Sequence, residues 1–300
     1  MKRKTRRILF YSSIVIFFVI SAIVVLYALG YQYDFVQGQF FKIGSFDVKT
    51  NVSAQVYVND VFAGSTSFLG NYFSQSRLLP RVYSVRVQAD NYQPWQKLVK
   101  VNAGFLTSFP KVILLPKTFQ ENTVASASFK TVTITRFDVA NGTALVGNKQ
   151  KVEAINLKTG EITPVKLPLL PEKNAAKLNV LVRNNIAGVT SPDGVVTAGF
   201  YNNEIWVQWL KDSSYQPFKK AGNSLLVTRF PQTINDIQWY KDSDHLLVSV
   251  GGILKLIEID DRDGINVFDI TTLSGPFYYD RSSDLIYKFE GNKLVKISIK

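Results

Sequence analysis

The chain holds a single histidine, His245, with Asp242 and Asp244 beside it in the stretch YKDSDHLL. A Ser-His-Asp relay needs a hydroxyl within reach of the imidazole and a buried carboxylate behind it. The two aspartates sit in what reads as a turn, so the spacing predicts a turn residue at the start of a strand, with Asp242 and Asp244 in water. No cysteine is present, which removes disulfides, thiolate–zinc sites and thiol nucleophiles together. With one histidine, zinc would need an unusual set of carboxylates. Asp260, Asp261, Asp263 and Gly264 suggest a calcium loop. Putting Gly264 at the sixth position of an EF-hand places Ile259 first and Ile270 twelfth, and neither is an oxygen ligand. A solvated hairpin turn is the better reading.

Glycoside hydrolysis needs two carboxylates, which can come from distant strands; nothing in the sequence singles out a pair. Gly142, Gly194 and Gly264 fall in turns and not before helices, so no loop is set up to cradle phosphate. Trp206, Trp209 and Trp239 can stack on sugar rings or fill a core. The expectation is a protein that is not an enzyme, with no catalytic, cofactor-binding or metal-ligating residues and no cofactor.

Any side chains that bind must be held by the surrounding elements, and these begin with a membrane segment. Ile8–Leu29, ILFYSSIVIFFVISAIVVLYAL, has 22 residues and no charge. As a helix it spans about 33 Å, against a hydrocarbon core of about 30 Å. Lys2, Arg3, Lys4, Arg6 and Arg7 precede it, and the first charge after it is Asp34. The positive-inside rule then puts residues 1–7 in the cytoplasm as a basic tail, and the bulk of the chain outside the cell membrane. Ala28-Leu29-Gly30 also suits a signal peptidase, which leaves a cleaved signal as the alternative, although the apolar run is longer than a usual signal core. The net charge of +12 concentrates in that tail. Residues 31–116 carry eight basic and four acidic side chains, and residues 117–300 carry 22 and 19. A nucleic-acid binder needs a basic stripe on a folded face, so no nucleic-acid partner is expected.

Tyr31, Tyr33, Phe35, Phe40 and Phe41 follow the segment. They can anchor at the headgroup level or form the inward side of a first hairpin turning at Gly38, and the glycine favours the hairpin. From Phe46 the pattern alternates with period two. Ala54, Val56 and Val58 share a face, Asn59-Asp60 suits a two-residue turn, and Val61-Phe62-Ala63 returns. Tyr83, Val85 and Val87 form another face, followed by turns at Asp90-Asn91 and at Asn102-Ala103-Gly104. Residues 30–116 therefore read as a small antiparallel β domain.

The order of these residues resembles a PEGA domain, a small β-sandwich of bacterial and archaeal surface proteins. The match runs through Val56-Tyr57-Val58-Asn59-Asp60, then Gly64 and Thr66, Leu79-Pro80, and Asn91-Tyr92 with Trp95. The tetrad that names the family reads Asn51-Val52-Ser53-Ala54 here, Thr-Pro reads Thr66-Ser67, Pro-Gly reads Pro80-Arg81, and Gly-Tyr reads Asn91-Tyr92. The likeness covers under a third of the chain and implies a non-catalytic structural or binding role.

Residues 117–300 repeat a grammar of aromatic pair, Asp/Ser turn and apolar strand. Ile237–Val250 matches Phe277–Phe289, with Asp244 opposite Asp284, and Ser191–Phe200 and Ala140–Asn148 echo it upstream. Repeats of this length resemble TolB-like or YWTD-like β-propeller blades, with a two-sheet sandwich as the competing fold. Four units are few for a closed ring, so the propeller is read as small or partial. The polar stretch FQENTVASASFK is a linker or a first edge strand, and Phe119–Ile134 can complete a blade. The fold class expected is all-β: a transmembrane helix at 8–29, a PEGA-like β-sandwich at 30–116 and propeller-like antiparallel repeats at 117–300. The function expected is non-catalytic binding of a cell-envelope polymer (cell wall or surface glycan) or of a protein partner. An envelope sensor or assembly factor is the alternative, and an extracytoplasmic hydrolase stands behind both.

Overall fold

The computed structural model describes residues 3–128, 131–165, 181–182, 185–186 and 188–299. Helix α1 is Arg3–Ala28, and none of its side chains is buried. It takes in Arg3–Arg7, so the basic residues expected as a tail are themselves helical; Met1 and Lys2 lie outside the described residues. Ser12 and Ser13 turn their hydroxyls back onto Leu9 O (3.0 Å) and Phe10 O (2.8 Å), satisfying them within the helix. The helix stops at Gly30, whose φ of +83° suits glycine and whose N–H bonds Tyr27 O at 3.1 Å.

By packing, the chain divides into two compact units. One takes the chain up to Val87 together with Gln96–Val112. The other takes Gln88–Trp95 and the chain from Ile113 onward.

In the first unit, β1 (Tyr31–Asp34) and β2 (Gln39–Lys42) form the hairpin expected around Gly38, whose φ is +68°. Of its five aromatics, only Tyr31 and Phe41 are even half-buried. Phe35 is 90% exposed, and Tyr33 and Phe40 are also exposed. The hairpin is a two-stranded sheet of its own, so Tyr33 packs edge-on against Phe35 (5.0 Å) and Phe40 (5.1 Å). Beyond it come β3 (Gly44–Thr50), β4 (Gln55–Val58), β5 (Val61–Ser65), β6 (Tyr72–Leu78), β7 (Val82–Gln88), β8 (Trp95–Lys100) and β9 (Leu106–Val112). They form a sheet ordered β6-β3-β9 and a sheet ordered β5-β4-β7-β8. Their inward rows supply a shared apolar interior: Phe46 and Val48, Val56, Val85 and Val87, Val99 and Phe109 are all buried.

Alternation of apolar and polar residues dictates this arrangement. The turn Asn59-Asp60 has both φ values positive, 50° and 63°, as a two-residue hairpin demands. Thr66 is buried and accepts the N–H of Ala54 at 2.9 Å, tying the two ends of the β4–β5 hairpin. The unit is not wholly antiparallel. β9 runs parallel to β3, from Ser45↔Leu106 to Thr50↔Val112. The four strands of the other sheet all lie between them in sequence, so the chain returns to β3 by a crossover.

The second unit holds β10 (Glu121–Ser126), β11 (Ile134–Asp138), β12 (Thr143–Gly147), β13 (Val152–Asn156), β14 (Ile162–Val165), the short pair β15 (Leu181–Val182) and β16 (Asn185–Ile186), β17 (Val189–Thr190), β18 (Val196–Tyr201), β19 (Glu204–Trp209), β20 (Ser224–Arg229), β21 (Ile234–Trp239), β22 (His245–Val250), β23 (Ile253–Glu258), β24 (Val267–Thr272), β25 (Phe277–Asp280), β26 (Leu285–Glu290) and β27 (Lys293–Ser298). Among the described residues it contains four four-stranded antiparallel sheets: β11–β14, β17–β20, β21–β24, and β25-β26-β27 completed by β10. These are propeller-like blades, not the two sheets of a sandwich. The stretch expected as a linker or edge strand supplies β10, which pairs from Glu121↔Ile297 to Ser126↔Lys293 and so joins the start of the unit to its end. Phe129 and Lys130, at the end of that stretch, lie outside the described residues.

The second and third blades share one apolar core around Trp209, Trp239, Ile237 and Val248. The first and fourth share another around Ile155, Tyr287, Phe289 and Leu294. Asp244 and Asp284 each directly precede the second strand of their blade, as expected, but the turns that lead to them differ. The turn from β21 to β22 spans 240–244 and that from β25 to β26 only 281–284. The left-handed residue is Ser243 (φ 68°) in one and Asp284 (φ 60°) in the other.

Candidate functional site

One open recess of about 410 Å³ is lined by residues in or next to the first strand of every blade. Val139 comes from just past β11, Val189 from β17, Gln238 and Trp239 from β21, and Tyr278 to Ser282 from β25 and its turn. Gln238 joins two of these strands. Its amide donates to Phe277 O and its carbonyl accepts from Tyr279 N, both at 3.0 Å, so one side chain bridges blades three and four. Trp239 is fully buried and donates to Val189 O at 2.6 Å, joining blade three to blade two.

Asp side chains order the turns that follow these strands. Asp280 accepts from the N–H and hydroxyl of Ser282 and from the hydroxyl of Ser283, which hold its carboxyl low although burial pushes it up. Asp193 binds Ser191 Oγ at 2.6 Å and Val195 N at 3.0 Å. Asp242 accepts the N–H groups of Asp244 (2.9 Å) and His245 (3.1 Å), the local pattern that makes aspartate a turn residue.

His245 does open a strand, as expected, but its surroundings are not water. Its side chain is 2% exposed, its Nδ1 is 2.7 Å from Asp242 Oδ2, and Asp242 is only 17% exposed. Burial works against the charged ring, yet Asp242, Glu258 and Asp244 outweigh it and raise the histidine above its ordinary range. The aspartates are drawn in because β22 is buried along its whole length. Asp244 accepts the Tyr215 hydroxyl at 2.6 Å. Asp284 accepts Tyr279 Oη at 2.7 Å and Lys241 Nζ at 2.5 Å. Tyr240 stacks on Tyr279 at 5.4 Å. Burial, reinforced by Asp284, pushes both phenols far up, so both stay protonated. Glu258 takes Trp95 Nε1 (3.0 Å) and both nitrogens of Asn266 (2.9 Å).

These acids are engaged by donors of the protein itself. Asp260 grips Arg262 through both its oxygens, and Asp261 holds Lys219 at 2.9 Å, so the Asp260–Gly264 turn is laced with ion pairs instead of standing free in water. Among the described residues no cluster of three or more His, Asp and Glu side chains is arranged to hold a metal. Trp209 and Trp239 are core; Trp206 is half-buried and donates to Glu204 at 2.9 Å.

Sequence reasoning missed two features. Arg281 is exposed at the recess and has no hydrogen-bond or ion-pair partner among the described residues. Asp236 lines a second recess of about 550 Å³ at the other end of β21, where burial raises its carboxyl against the hydrogen bonds from Gln238 and Ile237. No other acid lines that second recess, so the pair needed for glycoside hydrolysis is not assembled there. The sequence signal for Arg281 was its place in the repeated turn, one residue after Asp280.

No protein-family model and no curated protein matches the chain. Solved structures do. The extracellular domain of a B. thetaiotaomicron protein named as a one component system is 14% identical over 89% of this chain, with a TM-score of 0.25. This chain spans about a third of that one, 31%. The β-propeller domain of Cps50 (Swd1) from Myceliophteria thermophila is 11% identical over 75% of this chain and 68% of its own, with a TM-score of 0.28. At such TM-scores the likenesses carry no argument. The architecture, all-β with propeller-like blades after an N-terminal apolar helix, is read from this chain's own strand pairing.

Proposed function

We propose that this is a single-pass membrane protein, N-terminus in the cytoplasm, which presents a PEGA-like β domain and a propeller-like β domain outside the cell membrane. There it binds an envelope polymer or a protein partner without doing covalent chemistry. The observation that carries this reading is α1. It is 26 residues long, with an 18-residue window of mean hydropathy 2.8, and no part of that window is buried by the rest of the chain. An apolar surface of that size needs a bilayer to cover it. The binding role rests on the recess, where apolar and aromatic walls surround Arg281, a cation suited to an acidic group on the bound partner.

The topology is tested on whole cells with a tag fused after Lys300. External protease is expected to remove the tag from intact cells; a tag that survives until the cells are opened would overturn the reading. For binding, the full chain in detergent is expected to sediment with isolated cell wall, and Arg281→Glu to reduce the bound fraction several-fold. Wild-type protein left wholly in the supernatant would exclude the wall as ligand.

A further inference from the structure

We propose that the end of the first unit nearest α1 is seated in the outer lipid headgroup layer, with Phe35, Val36 and Phe105 inserted at the boundary with the acyl chains. The proposal rests on the reading of α1 as a membrane span and goes beyond it to the surface of a folded domain.

Strand register defines that end. β3 leaves the hairpin at Gly44, which pairs with Leu78 at the end of β6, and Ser45 pairs with Leu106 at the start of β9. Gly104 N bonds Ile43 O at 3.0 Å and Val101 N bonds Arg81 O at 2.9 Å, gathering segments 30–43, 77–82 and 101–106 at one pole of the unit. The opposite pole holds the β5–β6 turn, with Phe68 and Leu69.

Two links fix this pole to the helix. Ile43 N bonds Gly30 O at 2.8 Å, so the hairpin closes directly onto the helix cap. Arg77, on β6, lays its guanidinium over the Tyr27 ring at 3.6 Å. Tyr27 lies in the last turn of α1, so the β body reaches down to the level at which tyrosine meets headgroups. Arg77 holds a φ of +61°, a left-handed conformation that a long side chain seldom adopts.

The surface presented there suits a lipid interface. Phe35 is 90% exposed, Val36 84% and Phe105 68%. The hairpin tip is held rigidly: Asp34 is buried, accepts Val36 N at 2.8 Å, and pairs with Arg81. The other charged groups of the pole, Lys42 and Arg77, are both positive and exposed, which suits phosphate-bearing headgroups. Apolar tips beside basic groups are the composition of an interfacial anchor. The occupant is the bilayer because the pole is continuous with the helix that enters it.

The chain has no cysteine, so single nitroxide labels can be placed without background. Full-length Ile16→Cys, Phe35→Cys, Phe105→Cys, Phe68→Cys and Phe218→Cys proteins are labelled and reconstituted into vesicles of phosphatidylethanolamine and phosphatidylglycerol. Collision with oxygen and with a water-soluble nickel chelate is then read by power saturation. Labels at 35 and 105 are expected about 5–10 Å below the phosphates, shielded several-fold from nickel relative to 68 and 218. Nickel access at 35 equal to that at 218, with 16 deep in the bilayer, would overturn this inference and leave the anchor standing. Equal shielding at 35 and 68 would also overturn it, since both poles cannot face one bilayer. A label at 16 open to nickel would overturn the anchor and the inference together.

Discussion

The two units differ in degree: both bury charged groups, Asp34, Asp47 and Lys97 in the first among them, but the most exposed apolar side chains outside α1 belong to the first. The first leaves large apolar groups in the open: Phe35 and Phe68 are 90% and 96% exposed. The second draws charged and titratable groups inside: His245, Glu258, Asp284 and Lys288 are all at least 95% buried. An apolar tip in water costs the fold little, because it is equally wet in the unfolded chain. A buried charge costs several kcal/mol unless it is hydrogen-bonded and paired. The second unit should therefore be sensitive to single polar substitutions, and the exposed tips of the first should not. Trp206, Trp209 and Trp239 lie in the blades, and Trp95, which opens β8, packs with the second unit, so tryptophan emission reports chiefly on that unit.

The largest effect is expected at Lys288. Its Nζ lies 2.8 Å from Glu121 Oε1, 2.7 Å from Glu290 and 2.8 Å from Thr271 Oγ1, with the side chain 2% exposed. It thus holds β10 against the last blade. Lys288→Ala removes a buried cation shared by two partly exposed carboxylates and leaves a void, a loss of about 2–3 kcal/mol, most of it from the lost packing. Phe35→Ser and Phe68→Ser should stay within about 0.5 kcal/mol. Urea melts followed by tryptophan emission, and by circular dichroism for the first unit, check both. Equal losses would remove the contrast. Acid adds a second reading. Burial raises Glu121, but Lys288 and Thr271 more than offset this, so its carboxyl lies below the ordinary range. Its contribution is complete above the unfolded value of about 4.5 and disappears as pH falls through the lower folded value.

A smaller effect, of opposite sign in pH, is expected at His245. Its folded pKa is raised. The stability it adds is therefore full below the unfolded value of about 6.5 and is lost as pH rises through the folded value. Melting temperatures of wild type and His245→Gln should differ most at about pH 5–6 and converge in alkali. A gap that widened with pH would mean that the ring is buried neutral.

What was legible in the sequence follows the same division. The turns at Gly38, Asn59-Asp60, Asn91 and Gly104 were readable because positive φ is a local demand that few residues meet. The blade repeat was readable from turn-then-strand grammar. The burial of His245 was not: Asp242 three residues away was visible, but Glu258 meets it only because β22 and β23 pair His245 with Glu258. The closure by β10 was not fixed either, since Glu121 and Ile297 meet across nearly the whole unit. The parallel β3–β9 pair was missed for the same reason. Arg281 carried a turn signal, but its freedom from a partner is a property of the assembled blades.

The smallest effect returns to the first unit, at an exposed turn where local backbone demand and not burial sets stability. Asp60 has a φ of 63°, and its side chain is 83% exposed, 3.5 Å from Arg86. Such an exposed pair contributes little, so what the position requires is the left-handed backbone. Asp60→Gly should hold or slightly strengthen the β4–β5 hairpin, by up to about 0.5 kcal/mol, since glycine meets that φ without strain. Asp60→Val should weaken it by about 1–2 kcal/mol, because a β-branched residue is strained there. Amide exchange at Val58 and Val61, the pair that closes the turn, reads the difference directly. If glycine sped exchange as much as valine, the Arg86 contact would be holding the hairpin, and the first unit would depend on its charges as the second does.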